Sequence, residues 1–127
     1  MNEENDIFKC NICGNVVELF IAKQGSLVCC GKDMVKLTAN TVDAAVEKHV
    51  PVVEINDNIV TVTVGEVEHP MNDEHYIRLI ELLQNGAIIK SRYLKPNEKP
   101  VAKFVVDDTS NLKAREYCNL HGLWANK

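Results

Sequence analysis

Five cysteines and four histidines are the residues of this 127-residue chain best suited to chemistry, and their positions sort them into two sets. Cys10, Cys13, Cys29 and Cys30 fall within the first 30 residues. His49, His69, His75, Cys118 and His121 all lie beyond residue 48. In the first set, FKCNICGN is a Cys-x-x-Cys turn followed by glycine, a geometry that aims backbone amides at both sulfurs and both thiolates at one cation. LVCCGKDM supplies a second pair, again with glycine after it. Neighbouring side chains of an extended chain point to opposite sides, so Cys29 and Cys30 can share one ion only in a distorted tetrahedron. Four thiolates suit zinc or iron. A structural zinc knuckle and a redox iron site both satisfy this spacing.

In the second set, each residue stands where a strand is expected to begin or end. Pro70 biases His69 toward an extended backbone. The short polar loop MNDE brings His75 back toward it, and Cys118-Asn119-Leu120-His121 is a Cys-x-x-His turn that offers two ligands from one loop. A lone histidine at a strand end is ordinarily a satisfied core or surface residue, but with these five every Cys and His of the chain is assigned to one of two sites. Structural zinc is four-coordinate, so four imidazoles and a thiolate point to a metal of higher coordination number, iron first. A square of imidazoles with an axial thiolate leaves one octahedral position open opposite the sulfur, where a small ligand can react.

The elements that must position these residues read as strands. VPVVEI, the turn Asn56-Asp57-Asn58 and IVTVTVG, in which Val60, Val62 and Val64 alternate with Thr61 and Thr63, predict a β-hairpin. HYIRLIELL (75–83) could pass for a helix, yet Asn85-Gly86 and AIIKSRYL follow directly, which predicts a second hairpin. KPVAKFVV (99–106) predicts another strand and AREYC (114–118) a final one. Short strands at this spacing predict an antiparallel sandwich, whose strand ends gather at two poles. Residues 1–37 hold too few apolar side chains for a core and need a metal or disulfides as a staple. The expected organisation is therefore a four-cysteine module over 1–37, a linker over 38–45 and a β-sandwich over 46–127.

Composition narrows the function. With 18 acidic against 14 basic residues and no basic run, the chain has no nucleic-acid footprint. No apolar run approaches the roughly 20 residues of a membrane span. The polar, acidic MNEENDIFK is unlike a secretory signal, and five cysteines suit metal ligation in a reducing compartment, so a cytoplasmic location is expected.

The ordered set Cys10-x-x-Cys13, Cys29-Cys30, Glu47-Lys48-His49-Val50-Pro51, His69-Pro70, His75 and Cys118-Asn119-Leu120-His121 resembles the two-iron superoxide reductases, or desulfoferrodoxins. The resemblance spans nearly the whole chain. It implies an all-β fold: a small desulforedoxin-like module with one tetrahedral iron on Cys10, Cys13, Cys29 and Cys30, then an immunoglobulin-like antiparallel β-sandwich. It implies a second, square-pyramidal iron held by His49, His69, His75 and His121 with Cys118 axial. The implied reaction is one-electron reduction of superoxide to hydrogen peroxide, a detoxification, with rubredoxin or a similar donor supplying the electron. The implied assembly is a homodimer.

Lys48 and Glu47 are the two further groups of this site. Ferrous iron with one thiolate and four neutral imidazoles carries a local charge of about +1, which attracts an anion although the chain's net charge is −4. Lys48 reads either as a solvated loop lysine or, as the resemblance implies, as the charge that draws in superoxide and orders proton-donating water. Glu47 is implied as the carboxylate that ligates the resting ferric ion. Two other classes remain open: a protein that only transfers electrons or stores metal, and a zinc ribbon joined to a binding sandwich, which leaves the histidines unexplained.

Overall fold

The computed structural model describes residues 2–42, 49–65 and 69–126. It is all-β, with strands and no helix among the described residues, and it divides into two compact units, Met1–Thr38 and Ala39–Lys127.

The first unit holds five short strands: β1 (Ile7–Lys9), β2 (Val16–Glu18), β3 (Val28–Cys29), β4 (Lys32–Asp33) and β5 (Val35–Lys36). An antiparallel sheet runs in the order β2-β1-β5, and β3 and β4 form a separate hairpin. Among its described apolar residues only Ile7, Phe8 and Cys10 are buried, whereas Ile12, Phe20, Ile21 and Val28 are exposed. Three buried side chains cannot offset the ordering entropy of so many residues, so another source of stability is required.

The second unit comprises β6 (Pro51–Asn56), β7 (Ile59–Val64), β8 (Ile77–Gln84), β9 (Ala87–Tyr93), β10 (Val101–Val105), β11 (Leu112–Cys118) and β12 (Gly122–Ala125). Two antiparallel sheets, β10-β7-β6 and β12-β11-β8-β9, make an immunoglobulin-like sandwich. Both expected hairpins form. Asp57 at φ 55° turns the first, and Asn85 and Gly86 at φ 52° and 83° make the left-handed pair that a two-residue turn demands. The alternation of β7 sends Val60, Val62 and Val64 inward against Ile80, Leu82, Ala102, Phe104 and Ala114. Each large apolar side chain so buried contributes about 1.5–3 kcal/mol.

β8 lacks clean alternation because both of its faces are covered. Ile80 and Leu82 enter the core, while Glu81 and Leu83 are buried on the opposite face. Glu81 is satisfied there by Arg115, its direct partner in the β8–β11 ladder, at 2.8 Å. That explains an apolar run that sequence periodicity leaves ambiguous between helix and strand.

Two expectations are corrected. AREYC is not the last strand, since β12 follows and pairs with β11 from Cys118↔Gly122 to Arg115↔Ala125. The strand GLWA is too short to show a period, and Gly122 at φ 84° makes the turn into it possible. His75 does not open β8 but precedes it by two residues, on a turn in which Asn72 Oδ1 accepts the N–H groups of Glu74 and His75 at 3.2 and 2.9 Å. In the stretch expected as linker, Asn40 forms a parallel bridge with Trp124, its N–H donating to Leu123 O at 3.0 Å.

Candidate metal centres

The sandwich register dictates where the second set of residues meets. In one sheet Pro51 pairs with Val64, so the start of β6 and the end of β7 share a pole. In the other, Cys118 at the end of β11 pairs with both Ile77 and Gly122, the first residues of β8 and β12. His49 lies just before β6, His75 just before β8, His121 just before β12, and His69 follows β7. Strand pairing thus delivers five residues from distant parts of the chain to one end of the sandwich.

Their side chains form a defined figure. Ring centroids are 4.7 Å apart for His49–His69, 4.7 Å for His69–His75, 4.9 Å for His75–His121 and 4.7 Å for His121–His49. The His49–His75 separation is 6.4 Å, close to the diagonal that a square of this side requires. Neighbouring rings are steeply inclined, at 69° to 80°, and the diagonal pair is inclined by 31°. Cys118 Sγ stands 3.6 Å from His69 Nε2 and 3.9 Å from His121 Nδ1. One donor atom from each of the five residues lies within 4.8 Å of all the others.

Burial is graded across this figure. Cys118 belongs to the hydrophobic core at 0% exposure, His49 and His69 are buried, His75 is intermediate and His121 is exposed. The thiol is therefore on the protein side, and the exposed rim is at His121.

The surroundings prepare the donors. His69 Nδ1 lies 2.7 Å from Pro70 O; donating there leaves Nε2 bare toward the centre, the usual way a ligand imidazole has its tautomer fixed. Trp124 stacks on His49 with centroids 4.7 Å apart and planes 17° apart, and its Nε1–H donates to His121 O at 3.0 Å. This indole braces two corners of the square. Reasoning from the sequence assigned it no role, although it is the chain's sole tryptophan and stands three residues after His121.

A cation fits this donor set. His49 Nε2 and His121 Nδ1 face each other at 3.0 Å, and two nitrogens bound at right angles to one ion with bonds of about 2.1 Å are separated by about that distance. His75 Nε2 is buried and makes no hydrogen bond among the described residues, a costly arrangement unless an ion takes its lone pair. Five nitrogen and sulfur donors exceed the four of structural zinc.

The four-cysteine group is equally compact, with its sulfurs all within 4.8 Å of one another. Cys13 Sγ is 3.5 Å from Cys29 Sγ, and Cys29 Sγ is 3.9 Å from Cys30 Sγ. Those values bracket the edge of about 3.8 Å expected of a tetrahedron with metal–sulfur bonds of about 2.3 Å. The adjacent pair converges because the β3–β4 hairpin turns on Cys30 and Gly31, both left-handed at φ 54° and 75°. A non-glycine residue rarely accepts that conformation, so the turn spends backbone energy to bring both sulfurs to one side.

Backbone N–H groups of Cys13 and Ile12 lower the Cys10 thiol to about 6. The Cys13 side chain, with Cys29 and Cys10 behind it, pushes Cys30 up to about 12, and Cys13 likewise raises Cys29. Four thiolates this close repel, and a cation is what lets all of them ionise together.

Glu47 and Lys48 lie outside the described residues.

Comparison with known proteins agrees with this geometry. The profile of the family described as Desulfoferrodoxin matches residues 41–127, and that of the Desulfoferrodoxin N-terminal domain matches residues 2–37. The chain belongs to the desulfoferrodoxin family. A desulfoferrodoxin of Syntrophotalea carbinolica is 50% identical over 127 residues, 100% of this chain and 99% of that relative. A superoxide reductase of Pyrococcus horikoshii is 36% identical, covering 74% of this chain and 96% of its own length. Among solved structures, the superoxide reductase from Treponema pallidum is similar with a TM-score of 0.75 at 31% identity, covering 99% of this chain and 100% of that one. Family membership implies iron for the donor sets described above.

Proposed function

We propose that this chain is a superoxide reductase, and that its reaction takes place at the histidine–cysteine centre. The observation that carries the proposal is the square of four imidazoles over a fully buried thiol, exposed at one rim. His49, His69, His75, His121 and Cys118 would together hold one iron. Cys10, Cys13, Cys29 and Cys30 would hold a second iron. Ferrous iron bound there would supply the one electron that, with two protons, converts superoxide to hydrogen peroxide.

The chain's own groups set the conditions for that transfer. Burial of Cys118 keeps its thiolate away from competing water, so it would remain a strong electron donor to a bound ion. The Pro70 carbonyl holds His69 in one tautomer, and Trp124 keeps the His49 ring in place. Lys48 would draw the anion in and order water that delivers protons, and Glu47 would ligate the ion in the resting oxidised protein. Both roles rest on the Glu47-Lys48-His49 sequence shared with the family's pattern.

Rubredoxin or a similar small carrier returns the electron, and superoxide detoxification is the physiological role. Self-association into a homodimer is supported by the apolar surface of the first unit, where Phe20 is 88%, Val28 61% and Ile21 59% exposed. Five free cysteines suit a reducing compartment, the cytoplasm. The working division of the chain is a first iron module over 1–37, a connection over 38–45 and the catalytic domain over 46–127.

The test is metal content and the visible spectrum of the oxidised protein, followed by rapid mixing of the reduced form with superoxide. Stoichiometric peroxide without dioxygen is expected. Reduced protein that carries iron in both sites yet leaves superoxide to decay at its uncatalysed rate would reduce the chain to an electron carrier or metal store.

A further inference from the structure

The loop that carries His75 and the turn that carries Cys118 and His121 are joined at Asn119, by its side chain and its backbone. Its Oδ1 accepts the Tyr76 N–H at 2.9 Å and its Nδ2 donates to Glu74 O at 3.0 Å. Its own backbone N–H donates to Tyr76 O at 3.2 Å. Asn119 therefore grips the main chain on both sides of His75, across a sequence separation of more than 40 residues.

The position of this grip explains its chemistry. The β8–β11 ladder ends where Cys118 pairs with Ile77, after a register shift between Tyr117 and Cys118. Beyond that point the ladder contributes the Asn119 N–H bond to Tyr76 O, longer at 3.2 Å than either bond of the Asn119 amide. A primary amide offers one acceptor and donors in the spacing of a peptide unit, so Asn119 prolongs the ladder past its last backbone pair. Aspartate cannot substitute, because it lacks the donor and would set a carboxylate oxygen against Glu74 O. Alanine and serine do not reach.

We propose that Asn119 is the positioning residue that keeps His75 at its corner of the imidazole square, by fixing the span between the His75 loop and the turn bearing Cys118 and His121. The Asn72 turn shapes the His75 loop internally, with bonds that stay within that loop. Without the Asn119 amide the loop keeps its shape and is still tied to the turn by the Asn119 N–H bond to Tyr76 O at 3.2 Å, but its distance from the other donors is held less firmly. Outer-shell groups of this kind are worth about 10- to 100-fold in metal affinity when removed. This role rests on the reading of the five-residue cluster as a metal centre.

The experiment loads wild-type protein, Asn119→Ala, Asn119→Asp and the exposed neighbour Leu120→Ala with ferrous iron without oxygen, then challenges each with EDTA. Total bound iron and the visible spectrum after oxidation are followed. Wild type is expected to carry two irons per chain, one for each donor group. Both Asn119 variants should release one of the two about 10- to 100-fold faster than wild type and retain the other at the wild-type rate. The visible band of their histidine–cysteine centre should shift, and Leu120→Ala should match wild type throughout. Should the alanine variant unfold, the isosteric aspartate variant decides. Wild-type release and spectrum in the Asn119 variants would overturn the positioning role while leaving the metal centre intact, as would an equal loss in Leu120→Ala. Wild-type protein that binds iron only at its four cysteines would overturn the metal-centre reading, and this proposal with it.

Discussion

Replacing Trp124 by leucine isolates how much of the histidine–cysteine centre depends on bracing from outside. Leucine keeps an apolar side chain on β12 but removes two interactions: the stack on His49 at 4.7 Å and 17°, and the Nε1–H bond to His121 O at 3.0 Å. An aromatic pair in this geometry is worth about 0.5–1.5 kcal/mol beyond its buried area. A neutral hydrogen bond contributes about 0.5–1.5 kcal/mol net. Together they amount to about 1–3 kcal/mol, which corresponds to roughly 5- to 150-fold in an equilibrium constant. That loss should fall on metal retention by the five-residue cluster, because both interactions end on its donors. Trp124→Phe keeps the stack and loses only the N–H donor, so about fivefold weakening is expected of it. The assay is equilibrium competition with a chelator on anaerobic, iron-loaded protein, with the four-cysteine site as internal reference. Equal affinity in Trp124→Leu and wild type would refute the reasoning, and so would equal weakening at both sites, which marks a general loss of fold.

The remaining predictions concern the ladder beneath the centre and the Glu47-Lys48 pair. Arg115→Met strands the Glu81 carboxylate, whose side chain is 3% exposed, and should cost about 3–5 kcal/mol, lowering Tm by more than about 10 °C in a thermal melt. Adding Glu81→Leu should recover most of that loss, and a single variant that melts like wild type would show the pair to be dispensable. Lys48→Ala should slow the second-order reaction with superoxide by up to about tenfold and flatten its salt dependence in stopped-flow mixing. Unchanged rates at low ionic strength would remove Lys48 from the mechanism. Glu47→Ala should keep the reduction of superoxide and alter the visible spectrum of the oxidised protein, and an unaltered spectrum would contradict ligation by Glu47.

Much of the fold was legible in local sequence because its signals are local. Val60, Val62 and Val64 announce an inward face by simple alternation, and Asn85-Gly86 announces a turn because few residues accept φ values of 52° and 83° in succession. β8 needed its neighbours to be read at all, since burial of Ile80 and Leu82 on one face and Glu81 and Leu83 on the other erases the period. β12 was not legible. Four residues, Gly122 to Ala125, carry too little pattern, and their strand character comes from pairing with β11.

The candidate centres divide along the same line. By itself the sequence determined which residues could bind metal, because Cys and His are few here and their chemistry belongs to the side chain wherever it is placed. It also determined that they fall into two sets, since a Cys-x-x-Cys turn is a short-range device. Only the tertiary structure decided the figure they make. The square of His49, His69, His75 and His121 arises from the registers Pro51↔Val64, Cys118↔Ile77 and Cys118↔Gly122, the second of which pairs segments far apart in the sequence. The structure likewise decided that Cys118 is the buried member and His121 the exposed one, that Trp124 stacks on His49, and that Asn119 bonds the main chain on both sides of His75. Exposure, stacking and the span between two loops are properties of how segments pack, and no single segment contains them.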